Sequence, residues 1–375
     1  MTNPDRSELL YRIALTMAQQ IGPVTARKLI LAAGSARAVF ELDKRSLEKI
    51  EGIGPRATGA LDLPALITDA QQEMEFAAKH NIGILSFDDP GYPRRLEQCR
   101  DAPILLFTRG EQDLNPARCL SVVGTRMASP YGSDMCRELV RGLAGLLPGL
   151  VIVSGLAFGI DGIAHRAALR WGLPTVAVLG HGLHTIYPVN HTNLAGTIIQ
   201  QGALVTDFDS GTGPERNNFI RRNRIIAGLT DGTLVVESAE KGGALITAHI
   251  AFSYDRQVMS VPGRADDPRS KGCNRLIKGN VAAMVESPGD IIRLLNWDTA
   301  GSHRAEPVAV PELLPEERRF MDLIGENPGI TPGMLSAQTG TPVQEVTALL
   351  LGMELRDLVS RGPGNRYRLL ADLTG

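Results

Sequence analysis

The sequence predicts an α/β protein. It has a mostly parallel sheet covered by helices on both faces, flanked by a small N-terminal helical domain and a C-terminal winged helix. Three observations carry this. Between 81 and 297, short runs of Val, Ile and Leu alternate with helical stretches, the rhythm of βαβ units. Residues 1–80 read as helical. Residues 313–375 run helix, helix, helix, then a strand pair turning at Gly362-Pro363-Gly364-Asn365.

Length and composition bound the rest. A chain of 375 residues makes two or three domains. Its 43% hydrophobic and 21% charged residues are ordinary for a soluble globular protein. No apolar run approaches the roughly 18 residues that cross a bilayer. Met1 to Arg12 lacks the basic-then-apolar order of a signal peptide, so a cytoplasmic address is expected. The net charge is −2, so any binding to nucleic acid must be local. Of the 39 Lys and Arg, only seven are Lys. Arg suits phosphates and stacks on bases, and a GC-rich genome also favours it. Cys99, Cys119, Cys136 and Cys273 form no C-x-x-C pair, which argues for buried thiols rather than a zinc ribbon or disulfide framework. His181, His184 and His191 have no Cys or acid among them to complete a metal site, so structural roles are expected.

In chain order, Ile21-Gly22-Pro23-Val24-Thr25-Ala26 resembles Ile53-Gly54-Pro55-Arg56-Ala57-Thr58. Gly then Pro starts a helix in each. The repeat is that of a helix-hairpin-helix (or SAM-like) unit whose turn amides can hold a DNA phosphate, or of a small bundle reusing one turn. Within 81–297, strands are predicted at Ile104–Phe107, Leu120–Val123, Leu150–Ser154, Thr175–Leu179, Ala203–Thr206, Thr233–Glu237, Gln257–Val261 and Val281–Val285. Helices fill Tyr131–Leu147, Gly162–Arg170, Asn193–Gln200, Asn217–Leu229, Ala244–Tyr254 and Gly289–Leu295. Residues 298–312 have no period and read as a linker. In the last domain, Thr341-Pro342-Val343-Gln344 resembles a capping box, and Val343, Val346, Leu350 and Met353 mark one helical face.

In an open parallel sheet, ligands bind beyond the carboxyl ends of the strands. Here those ends are Val123-Gly124-Thr125-Arg126, Ser154-Gly155-Leu156-Ala157-Phe158-Gly159-Ile160-Asp161, Leu179-Gly180-His181-Gly182, Glu237 with Lys241-Gly242-Gly243, and Pro262-Gly263. Glycine on one rim permits close backbone approach and leaves amides for anions. The segment Glu215–Arg224 adds Arg216, Asn217, Asn218, Phe219, Arg221, Arg222, Asn223 and Arg224 over the same rim. Arg for phosphates, Phe for stacking and Asn for base edges are what single-stranded nucleic acid needs. No Walker A loop, G-x-G-x-x-G or G-x-S-x-G elbow is present. Asp161 and Glu237 are the best acid or base candidates, with Asp161 placed as a helix cap.

These motifs together resemble the DNA-processing protein DprA (Smf) family. So do Tyr187-Pro188-Val189-Asn190, Phe219–Leu229, Val236-Glu237, Lys241–Ala244 with Thr247-Ala248, Val261-Pro262-Gly263, Gly272–Ile277, Asp89-Pro90-Gly91-Tyr92-Pro93 and Pro103–Leu106. The resemblance is strong over about 80–300. It implies a Rossmann-like core that binds single-stranded DNA without chemistry and without a cofactor. It also implies a homodimer that protects incoming DNA in natural transformation and helps load the recombinase RecA. It would have Arg126 grip a phosphate, Arg216 lie beside Phe219, and Arg222, Asn223 and Arg224 line the pocket. Gly124, Thr125, Ser154, Gly155, Gly159, Gly180, Gly182, Lys241 and Gly242 complete the expected contacts. Phe158 stands where many relatives carry Lys and would stack instead. From Pro342 to Leu355 the third winged helix has no Lys or Arg, so a partner-binding or auxiliary role is expected. Basic groups there are confined to Arg361, Arg366 and Arg368 beside Tyr367. The alternatives are a phosphoribohydrolase-type nucleotide enzyme using a Glu after a strand end, and a scaffold with no DNA affinity. This chain lacks the Pro-Gly-Gly-x-Gly-Thr motif of the former.

Overall fold

The structure, a computed structural model, describes residues 6–297 apart from 62, and 313–369 apart from 357 and 363. The chain divides into two compact units, Met1–Glu306 and Pro307–Gly375. The stretch expected as a linker, 298–312, lies outside the described residues.

The first unit opens with helices α1 (Arg6–Met17), α2 (Pro23–Ala33), α3 (Ala36–Glu41), α4 (Lys44–Glu48), α5 (Pro55–Gly59) and α6 (Leu63–Lys79). Both Gly-Pro repeats start helices as predicted: Gly22 and Gly54 are the caps, and Pro follows each. The Glu8 carboxylate accepts from the amides of Ala36 and Arg37, tying α1 to the start of α3. The core of these helices runs on into the sheet through Ile104 and Leu105.

The sheet follows: β1 (Gly83–Ser86), α7 (Arg94–Glu97), β2 (Leu105–Gly110), β3 (Cys119–Val123), α8 (Pro130–Leu146), β4 (Val151–Ser154), α9 (Ile160–Arg170), β5 (Thr175–Val178), α10 (Thr192–Gln201), β6 (Ala203–Thr206), α11 (Arg216–Gly228), β7 (Gly232–Val235), α12 (Gly243–Ser253), β8 (Gln257–Ser260), α13 (Lys271–Lys278), β9 (Ala283–Met284) and α14 (Pro288–Leu294). Strand order is β1-β2-β6-β5-β4-β3-β7-β8-β9. Strands β3 to β9 pair in parallel, and the β1–β2 hairpin joins antiparallel to β6. The doubly wound, Rossmann-like sheet is therefore mostly parallel, with one antiparallel edge. Alternate strand residues feed opposite cores, as the two-residue period requires. Val151 and Val153 pack with α11 and α12 residues such as Ile225 and Ala248, whereas Ile152 packs with α8 and α9 through Leu139 and Ala164. Strand β1 and helices α7 and α13 were not expected. Four residues of Gly-Ile-Leu-Ser or Arg-Arg-Leu-Glu show no period. All four cysteines are free and buried.

The second unit is the winged helix: α15 (Pro315–Glu326), α16 (Pro332–Thr339), α17 (Val343–Leu355), and the hairpin β10 (Val359–Gly362) with β11 (Arg366–Leu369). Phe320, Ile324, Leu335, Val346, Leu350 and Met353 form its core. Two local expectations are corrected. Pro342 caps α17 with no side-chain bond, so the box at Thr341 does not form. The Thr341 carbonyl instead accepts from the Ser336 hydroxyl at 2.7 Å, and its amide donates to Thr339. Val343 lies on the surface, one turn ahead of the buried face. Tyr367 is also buried, so it is not part of the basic surface of the wing. Among the described residues, no helix is long and apolar enough to cross a membrane.

Candidate nucleic-acid interface

A cleft of about 740 Å³ lies beyond the carboxyl ends of β3 and β7. Its walls come from stretches far apart in sequence. The loop after β3 supplies Gly124, Thr125 and Arg126, the first turns of α11 supply Arg216, Phe219 and Asn223, and the loop before α12 supplies Lys241, Gly242 and Gly243. Arg126, Arg216 and Lys241 are exposed, and none is held in an ion pair among the described residues. The Arg126 guanidinium sits 5.5 Å from the centroid of the Phe219 ring, so the two basic stretches meet at one aromatic. Tyr187 approaches the same ring, at 5.6 Å between centroids. The N-termini of α11 and α12 both open here without a side-chain cap, which adds partial positive charge.

Most rim glycines serve close packing rather than free amides. A Cβ at Gly124 would lie 2.5 Å from Ile160. One at Gly159, where φ is +73°, would lie 2.2 Å from the Thr125 carbonyl oxygen. These two residues lock the Arg126 loop against the start of α9. The Thr125 amide is spent on the Glu237 carbonyl at 2.7 Å, and the Thr125 carbonyl on the Ile160 amide. Gly180 leaves room for the Phe219 ring, 2.7 Å from where its Cβ would be. Gly182 packs on the Asp209 backbone, and its amide donates to Thr212. Gly242 accommodates the Ser238 hydroxyl.

Several expected contacts are therefore corrected. Ser154 is fully buried, and its hydroxyl donates to the Val122 carbonyl at 2.6 Å. It braces β4 against β3 and presents nothing to the cleft. Arg222 does line the cleft, but it is only 4% exposed. Its guanidinium donates to the carbonyls of Gly155, at 2.8 Å, and Val178. Gly155 is required because a Cβ would collide with that guanidinium. Burial pulls the Arg222 group down to about 10, opposed by Asp161. Arg224 leaves the cleft altogether, pairing with Asp207 and donating to the Asp101 carbonyl. The cause is helical geometry: 100° per residue turns successive side chains to different sides. Arg221 likewise turns away, its guanidinium 5.0 Å from the Phe208 ring. Phe158 is exposed and packs edge-on against His191, outside the cleft lining.

The acid candidates take structural places. Glu237 is buried, and its carboxylate accepts from the Ser129 amide at 2.8 Å and hydroxyl at 2.5 Å, anchoring the start of α8. It is not among the residues that line the cleft, whereas Glu240 is. Asp161 lines the cleft but does not cap α9; Gly159 is the cap residue. Burial pushes the Asp161 carboxyl up, opposed by Arg222. His181 and His191 are buried, and each bonds a backbone carbonyl through Nδ1. One basic residue was missed: Arg275 of α13 also lines the cleft, paired to Glu240 at 3.8 Å. Its signal was the run Gly272-Cys273-Asn274-Arg275-Leu276-Ile277, in which Cys273, Leu276 and Ile277 keep the i, i+3, i+4 spacing of one helical face.

The family described as DNA recombination-mediator protein A matches residues 83–296, and the DprA winged helix domain matches 304–365. Protein Smf of Synechocystis is 31% identical over 397 residues, covering 96% of this chain and 99% of its own. The X-ray structure of DNA processing protein A from Streptococcus pneumoniae matches with a TM-score of 0.62 at 31% identity, covering 77% of this chain and 98% of that one. A structure of DNA processing protein A from Helicobacter pylori, described for its single-stranded DNA binding mode, matches with a TM-score of 0.52 at 27% identity. It covers 57% of this chain and 95% of that one. The glycine-locked rim, the Arg126–Phe219 contact and these matches together place the chain in the DprA (Smf) family.

Proposed function

We propose that this protein binds single-stranded DNA in the rim cleft and holds it without covalent chemistry. Its role would be to protect incoming DNA in natural transformation and help load the recombinase RecA, acting as a cytoplasmic homodimer. The observation that carries the reading is the convergence of Arg126, Arg216 and Lys241 on one cleft around Phe219. Guanidinium groups for phosphates beside a ring for a base form a single-strand site. The DNA-binding relative from Helicobacter pylori supports it. In this reading, residues 1–80 form a helix-hairpin-helix-like domain, 81–297 the DNA-binding core, 298–312 a linker, and 313–375 a partner-binding or auxiliary domain.

Fluorescence anisotropy with a labelled oligonucleotide tests it. Arg126→Ala and Arg216→Ala should each weaken binding and lower the salt slope by about 0.7, the value for one phosphate contact on a single strand. Unchanged affinity in both variants refutes the assignment. Recombinase loading is tested by whether the protein speeds RecA assembly on single-stranded DNA, and no acceleration removes that role.

A further inference from the structure

Helix α11 separates the rim cleft from a second recess of about 800 Å³, between α11, the last turn of α12 and the loop after α7. Ile220, exposed at 42%, lines both. Two exposed guanidinium groups face the second recess, Arg100 and Arg221, neither held in an ion pair among the described residues. Arg224 and Arg256 also line it but are committed: Arg224 to Asp207, and Arg256 to the Arg95 carbonyl and Gln98. The facing acids are Asp101, whose carboxylate accepts from the Tyr254 hydroxyl, and Asp255. The rest of the wall is Cys99, Ile250, Ser253 and Tyr254, of which Ile250 and Tyr254 are the large apolar and aromatic side chains.

Along α12 and its C-terminal cap residue, Ile246, Ile250 and Tyr254 recur every four residues, so they lie along one face. Ile246 lines the rim cleft, and Ile250 and Tyr254 line the recess. At 1.5 Å per residue this stripe runs about 12 Å from one site to the other. It provides a continuous apolar floor, flanked by Arg100 and Arg221, leading out of the cleft. Cations beside an apolar and aromatic floor match the chemistry of the rim itself.

We propose that the recess is a second subsite for the same polynucleotide. A single strand leaving the rim cleft crosses Ile220, follows the Ile246–Ile250–Tyr254 stripe, and sets its phosphates on Arg100 and Arg221. This rests on the rim cleft binding single-stranded DNA. The full-length protein is titrated with oligothymidylates of about 6 and about 20 nucleotides, which span the range of single-strand site sizes. Both exposed arginines are replaced, Arg100→Ala with Arg221→Ala, and an unchanged thermal midpoint shows the fold intact. The double variant should bind the short strand like the parent. It should bind the long strand about tenfold more weakly, two surface charge contacts at under 1 kcal/mol each. Its salt slope on the long strand should fall by about 1.4. Equal parent and variant affinity for the long strand overturns the subsite, and so does an equal loss on both lengths. Failure of the parent to bind either length instead overturns the rim reading.

Discussion

Replacing Arg222 by Met tests whether this arginine is a strut or a DNA contact. Its guanidinium is buried and donates to the carbonyls of Gly155 and Val178, the ends of two adjacent strand loops. Met fills similar space but leaves both carbonyls without a partner and removes the positive charge facing buried Asp161. Charge-assisted hydrogen bonds contribute about 1.5–3 kcal/mol each, and relief of guanidinium desolvation offsets part of the loss. Removing one side of a buried charged cluster costs about 3–5 kcal/mol. Urea unfolding should therefore show a loss of that size. The deficit has a sign in pH. Without Arg222 the Asp161 carboxyl, already pushed up by burial, rises further. A carboxyl raised in the folded state favours folding below its unfolded value and loses that contribution as pH rises through the folded value. The deficit should be larger at neutral pH than near pH 4, and Asp161→Asn in the same chain should recover part of it. The folded variant should keep most of its oligonucleotide affinity, unlike Arg126→Ala. A loss below about 1 kcal/mol, within the range of ordinary surface substitutions, would refute the strut.

Two further outcomes follow from the same geometry. His165 is fully buried, bonds Thr175 through Nδ1 at 2.7 Å, and is pushed down to about 3 by burial. The unfolded chain takes up that proton near 6.5, so the contribution is intact above that pH. It falls by about 1.4 kcal/mol per unit as pH drops from about 6.5 toward 3. In His165→Asn, the slope of unfolding free energy against pH should flatten by about one proton over that window, and an unchanged slope counts against the assignment. Gly159→Ala places a Cβ 2.2 Å from the Thr125 carbonyl at a φ of +73°. It should destabilise the protein by more than about 1 kcal/mol, because alanine is incompatible with this positive φ, and it should weaken oligonucleotide binding by displacing the Arg126 loop. A variant with parental affinity and stability would show that the two loops are not locked together.

The sequence by itself determined the architecture and the edge on which ligand binds. Short apolar runs with β-branched residues, such as Val151–Ser154 and Ala203–Thr206, are buried on both faces, and their hydrophobicity is written locally. Glycine shortly after β3, β4, β5, β7 and β8 likewise marks the rim from local backbone needs. Only the tertiary structure decided what each rim residue does. Arg216, Arg221, Arg222 and Arg224 look alike along the chain. Arg216 lies exposed in the cleft, Arg221 lies over Phe208, Arg222 lines the cleft with its guanidinium spent on the Gly155 and Val178 carbonyls, and Arg224 pairs with Asp207. Ser154 and Glu237 stand at strand ends yet are spent on Val122 and Ser129. The physical reason is that a helix distributes neighbouring side chains around its axis. Which of them meets a partner depends on groups brought close only by folding, such as Asp101 against Arg224, 123 residues apart.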